Sequence, residues 1–215
     1  MFYKSADSYL DIGCATGECV LFSEELGYSA VGIDNNRYLL SIAGEKKIKR
    51  KSSAEFIFAD MRDISMAVKG ESFDIITCLG NTLVHLDSAD EISTFFKSVF
   101  SVLKKGGIFL SQIVNYEKFA DKISFTFSNI ETNEFNFERK NIFKREGEIV
   151  EFTGKLFVKK EQKWYENKIM LYPINKDDIE AGLSKSGFHK LEFYGGFDRR
   201  EYSIGSDALL FRAEK

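Results

Sequence analysis

The chain has 215 residues, 44% of them hydrophobic, with a formal net charge of −3 and three cysteines. That length supports one domain with a real core, and the charge balance leaves no overall electrostatic footprint for nucleic acid. No stretch approaches the roughly 20 apolar residues of a membrane helix, MFYKSADS carries no apolar signal core, and Cys14, Cys19 and Cys78 match no zinc spacing, so free thiols in a cytoplasmic protein without a metal site are expected.

In chain order, SYLDIG (8–13) predicts a strand and GECVLFSEELG (17–27) a helix ended by Gly27. SAVGIDNN (29–36) and RYLLSIAGEKKIK (37–49) repeat the pair, and AEFIFAD (54–60) and SFDIITCLG (72–80) add two strands. In DEISTFFKSVFSVLKKGG (90–107), Ile92, Phe95, Phe96, Val99, Val102 and Leu103 recur with helical spacing, ahead of a strand over GGIFLSQIVNY (106–116). This alternation predicts βαβ units and a mostly parallel sheet covered on both faces. KKIKRK (46–51) reads as a solvated helix end, where cations also suit the helix dipole.

After Tyr116 the pattern changes to period two. ISFTFSNI (123–130), FNFERKNIFK (135–144), EIVEFTGKLFVKK (148–160) and KWYENKIMLYP (163–173) predict an antiparallel meander over 122–173, with turns at Glu146-Gly147-Glu148 and Lys160-Glu161-Gln162. NKDDIEAGLSKSG (175–187) predicts a helix capped by Asn175 and ended by Gly187, and FHKLEFYGG and SDALLFRAEK two closing strands. With no repeat and no linker, residues 1–215 read as one domain carrying the meander as an insertion.

Between the first strand and helix lies Gly13-Cys14-Ala15-Thr16-Gly17. No Lys follows Gly17, so a phosphate-gripping P-loop fails. Ala15 replaces the middle glycine of the dinucleotide fingerprint, so a pyrophosphate is poorly supported. Asp11 sits in the strand before the loop, suited to a cation; Asp34 ends the second strand, placed for ribose hydroxyls; Asp60 ends the third, suited to an adenine amino group. Together they suit a phosphate-free ligand with a ribose, an adenine and a cationic amino-acid part, as in S-adenosylmethionine.

On these residues the chain resembles the class I S-adenosylmethionine-dependent methyltransferases: DIGCATG is similar to their first motif, GIDNN to the ribose-binding acid, FADMRD to the adenine-contacting turn, FDIITCLGNTLVHL to the fourth motif and LKKGGIFLSQIVNY to the fifth strand. The resemblance implies a doubly wound, Rossmann-like α/β fold, with a mostly parallel seven-stranded sheet, an antiparallel C-terminal hairpin strand and the meander as a cap. It implies S-adenosylmethionine held by Asp11, Gly13, Cys14, Ala15, Gly17, Asp34, Asn35, Asp60, Met61, Leu79 and Gly80. CLGNTLVHL followed by IVNYEKF is similar to the branch of glycine, sarcosine and amino-sugar N-methyltransferases, which implies methyl transfer to a small-molecule amine, with Asn81, His85 and Tyr116 as the catalytic set.

Two departures from that branch stand out. Val114 occupies the position of an Arg that grips the carboxylate of glycine, and the chain begins about seven residues before its first strand, so a truncated N-terminal lid is expected. Plainer roles compete: Asn81 closing a turn, His85 hydrogen-bonded without moving a proton, Tyr116 as packing, Asp34 as a cap, and His189 as structural. Trp164, Tyr165 and Tyr172 read as meander core ahead of pocket lining. A non-catalytic or partner-dependent cofactor-binding module is the main rival. A nucleic-acid methyltransferase ranks below it, since Cys78-Leu79-Gly80-Asn81 stands where a D/N-P-P-type motif is required and the chain has a single proline. A homodimer stays open; a membrane partner is not expected.

Overall fold

A computed structural model describes residues 8–144 and 148–215. The seven-residue start, with the expectation of a truncated lid ahead of the first strand, and the Glu146–Gly147 part of the meander turn lie outside the described residues. The first half runs β1 (Ser8–Ile12), α1 (Glu18–Glu25), β2 (Ser29–Asp34), α2 (Arg37–Arg50), β3 (Glu55–Phe58), α3 (Ile64–Ala67), β4 (Phe73–Cys78), α4 (Ala89–Val102) and β5 (Leu103–Val114). There follow β6 (Ser124–Thr126), β7 (Ile130–Glu131), β8 (Phe135–Lys144), β9 (Ile149–Val158), β10 (Lys163–Leu171), α5 (Lys176–Lys185), β11 (His189–Tyr194) and β12 (Ala208–Glu214).

Seven strands form one sheet in the order β11-β12-β5-β4-β1-β2-β3. β1 to β5 pair in parallel, whereas β12 runs antiparallel to both β5 and β11. The two-residue period of β1 splits its side chains. Tyr9 packs with Val20, Leu21 and Ala54 on the α1–α2 side; Leu10 and Ile12 pack into the larger core with α4 and α5. The sheet is thus doubly wound, as the alternating elements predict.

α4 shows why the periodicity is readable. Ser88 caps it by accepting from the Glu91 N–H at 3.2 Å, and Ile92, Phe95, Phe96, Val99 and Val102 are all buried. Phe96 meets Phe109 and Phe211 edge-on, at 6.2 and 6.3 Å between centroids. Leu103, read as helical, instead opens β5, earlier than the expected start at Gly106. The cause is tertiary: Leu103 stands in register with Phe73 of β4, and further along the Gly106 N–H donates to the Lys215 carbonyl and the Lys215 N–H to that of Gly107.

The meander forms a second, antiparallel sheet in the order β10-β9-β8-β6, with β7 also on β8. Phe125, Val150 and Leu171 carry its inner face into the main core, and Phe119 stacks on Phe125 at 3.7 Å. Trp164 and Tyr165 correct an expectation. They are 50% and 43% exposed, because the outer end of the β9–β10 hairpin extends past the core, and they line no described cavity. Tyr172 does pack against the core. The basic run at the end of α2 is partly committed: Lys46 and Arg50 pair with Glu18 of α1 at 2.7 and 2.8 Å. Among the described residues no helix is long and apolar enough to cross a membrane.

Candidate functional site

The carboxyl ends of β1, β2 and β3 open onto a crevice of about 290 Å³, where open α/β sheets place their ligands. Its walls are Gly13 and Ala15 of the β1–α1 loop, Ile33 to Asn36 at the end of β2, Leu39, Ala59, Met61, Thr82 and His85. No Lys or Arg stands among these residues, which leaves a ligand phosphate without a cation.

The loop follows from its backbone angles. Gly13, Ala15 and Gly17 all have left-handed φ, at 75°, 48° and 78°. A Cβ on Gly13 would stand 2.5 Å from Thr82 Cγ2, and one on Gly17 2.5 Å from the Phe56 ring, so both glycines are sterically required. Ala15 holds a strained conformation with its N–H on Asp34. One oxygen of that carboxylate accepts from Ala15 N–H and the other from Asn36 N–H, both at 2.8 Å. Asp34 therefore ties the β1–α1 loop to the turn into α2 and lines the crevice at the same time. Asn36 caps α2 by accepting from Tyr38 and Leu39 N–H.

Asp11 is not among the crevice walls. It is buried within β1, where it accepts from the Thr77 hydroxyl at 2.6 Å; Thr77 also bonds the Tyr9 hydroxyl at 2.7 Å. Burial pushes its carboxyl up to about 6; the Thr77 bond pulls the other way, and Asp34 adds to the rise. A carboxyl protonated more readily in the folded than in the unfolded chain costs stability once ionised. Stability should therefore fall by an amount on the order of 2–3 kcal/mol as pH rises from about 4 to 6. Asp11→Asn should flatten that slope, as urea unfolding at pH 4.5 and 7 would show; equal slopes in both proteins would refute it.

The other expected cofactor residues divide. Gly13, Ala15, Asp34, Asn35 and Met61 meet at the crevice. Cys14 instead packs with Val20 and Leu21, because its side chain fills the space over Gly32, and burial raises its thiol pKa. Gly17 caps α1. Asp60 caps a one-turn helix (Met61–Asp63) by accepting from Arg62 N–H, and Arg62 further pairs with Asp87 and Glu91, each at 2.9 Å. Leu79 and Gly80 form the turn after β4, where the Leu79 carbonyl accepts from the Thr82 hydroxyl at 2.7 Å.

The expected catalytic residues come from two further one-turn helices, Leu83–His85 and Tyr116–Phe119, and the turn before the first. Asn81, at φ 69°, accepts from Val114 N–H at 2.9 Å and donates to the Tyr116 hydroxyl at 3.0 Å. It closes the turn and holds the phenol at once. Burial pushes the Tyr116 hydroxyl up to about 12. His85 stands in the crevice wall; partial burial lowers its pKa against the opposing pull of Asp34. Tyr116 faces a second cavity of about 260 Å³, with Glu117, Ala120, Phe143, Pro173, Ile174 and Asn175.

Sequence reasoning missed Ile33, Asn36, Leu39, Ala59 and Thr82. Asn36 had a signal, as a good N-cap ahead of an apolar helix. Thr82 had none, because its contact with Gly13 joins segments 69 residues apart. A further cavity of about 230 Å³ lies on β11 and β12, where Arg212 is committed to Glu192 and Glu214.

Residues 10–107 match a family model described as a methyltransferase domain. The glycine/sarcosine N-methyltransferase of Aphanothece halophytica is 25% identical over 217 residues, across 98% of this chain and 77% of the relative. The putative methyltransferase YqeM of Bacillus subtilis is 34% identical over 112 residues, across 52% of this chain and 44% of its own length. The crystal structure of an S-adenosylmethionine-dependent methyltransferase from Clostridium acetobutylicum shares the fold, with a TM-score of 0.82 at 21% identity over 97% of this chain and 83% of that one. Strand order, loop and relatives agree in making the chain similar to the class I S-adenosylmethionine-dependent methyltransferases.

Proposed function

We propose that the chain methylates an amine nitrogen of a small molecule, as one domain over 1–215 with the 122–173 meander as its cap. The observation that carries this reading is the Asn81–Tyr116 pair, next in sequence to the crevice-lining Thr82. An uncharged amide and phenol, already fixed to each other, can orient a neutral amine by hydrogen bonds without repelling it or taking up its proton. The relative named for glycine and sarcosine, aligned along nearly the whole chain, supports the same acceptor class.

The residues of the crevice fit S-adenosylmethionine. Asp34 keeps lone pairs for ribose hydroxyls beyond those given to Ala15 and Asn36, Met61 offers an apolar wall for a base, and Asp11 contributes negative charge from within β1. That cofactor supplies a methyl on a sulfonium, open to in-line displacement. The protein's share is to hold the acceptor nitrogen unprotonated and aligned. Asn81 and Tyr116 do the aligning, and His85, neutral near pH 7, can accept a proton at a ring nitrogen.

The test is transfer of labelled methyl from S-adenosylmethionine to a panel of small amines. Tyr116→Phe should lower kcat roughly tenfold to a hundredfold, about 1.4–2.8 kcal/mol of barrier, with the KM for S-adenosylmethionine unchanged. Cofactor binding without transfer to any amine would overturn the reading.

A further inference from the structure

Resting on that reading, we propose that Glu117 recognises the acceptor, and that the acceptor carries a second cationic group: a small diamine or aminoalkyl compound, not an amino acid. The second cavity is attached twice to the segment that walls the crevice. Asn81 donates to the Tyr116 hydroxyl at 3.0 Å, and the Tyr172 N–H donates to the Val84 carbonyl at 2.9 Å, next to His85. Tyr116 and the Tyr172–Pro173 segment of this cavity are thereby tied to the Asn81–His85 segment, whose Thr82 and His85 line the crevice.

Glu117 is the one charged residue among the described walls of this cavity. Its hydrogen bonds, from Lys176 N–H at 3.1 Å and the Tyr202 hydroxyl at 2.8 Å, all fall on Oε2; Oε1 has none among the described residues. No described Lys or Arg pairs with it either. Lys118 is committed to Asp207 and Lys176 Nζ to Glu180. A half-buried carboxylate without a counter-cation, beside an aromatic ring and a proline, is completed by an ammonium group. The same walls offer no cation to a carboxylate, which disfavours amino acids.

Glu117 also holds the first turn of α5 and Tyr202, so the test must separate recognition from architecture. Calorimetry would titrate 1,4-diaminobutane, butylamine and glycine into the protein, alone and saturated with S-adenosylhomocysteine. The wild type should bind the diamine at least tenfold more tightly than the other two. Glu117→Gln, which keeps an acceptor oxygen and loses the charge, should abolish that preference at an unchanged melting temperature. Tyr202→Phe, which cuts the tether and keeps the charge, should retain it. No diamine preference in the wild type, its survival in Glu117→Gln, or its equal loss in Tyr202→Phe would each overturn the role of Glu117. Failure of S-adenosylhomocysteine to bind would strike the cofactor reading instead, and the diamine titration of the protein alone would still decide this one.

Discussion

Gly13→Ala is expected to destabilise the fold by about 2–5 kcal/mol and to weaken cofactor binding with it. Two independent costs add. A left-handed backbone at φ 75° costs an L-residue about 1–2 kcal/mol. The new Cβ would also stand 2.5 Å from Thr82 Cγ2 and 2.8 Å from its Oγ1, and overpacking of this kind costs about 1–3 kcal/mol. Thr82 cannot swing away freely, because its hydroxyl is bonded to the Leu79 carbonyl. The loop must therefore shift, and it carries the Ala15 N–H that Asp34 grips. Adding Thr82→Ala should recover the steric share and leave the backbone share, so a double-mutant cycle by urea unfolding separates them. Full stability in Gly13→Ala alone would show that the loop is not held as described.

Asp34→Ala should weaken binding of S-adenosylmethionine by about 10- to 100-fold. Hydrogen bonds to a charged group contribute about 1.5–3 kcal/mol, and 1.4 kcal/mol is a factor of ten. The side chain would be lost from the crevice together with its hold on Ala15 and Asn36 N–H. Stability should fall much less, since the Asn36 N–H lies at an exposed edge where water can replace the carboxylate. Asp34→Asn preserves size and one acceptor oxygen, so it should keep most of the stability while still losing affinity. Calorimetry on the folded variants reads the difference; unchanged affinity in Asp34→Ala would remove Asp34 from the cofactor site.

The chain shows how far local pattern reaches. α4 was legible because its burial repeats with its own turn, and β8 because its residues alternate in place; both depend on neighbours within a few positions. The same holds for the caps at Ser88 and Asn175, which satisfy N–H groups three residues away. The early start of β5 was not legible, since Leu103 pairs with Phe73, 30 positions earlier in the chain. Nor were the one-turn helices at 61–63, 83–85 and 116–119, too short for a period to show.

For the site, the sequence alone determined the loop, the ends of β2 and β3, and Gly13, Ala15, Asp34, Asn35 and Met61 of the crevice walls. Spacing along β-α units dictates which positions emerge at the carboxyl edge of a parallel sheet. Which of those residues face one another was decided by the tertiary structure. Asp11 and Thr77 lie 66 positions apart, Asn81 and Tyr116 35, and Glu117 and Tyr202 85. Hydrogen bonding at such separations follows from strand order and packing, which place Asp11 in the sheet with Thr77, seat Asp34 in the crevice and leave Oε1 of Glu117 without a hydrogen bond among the described residues.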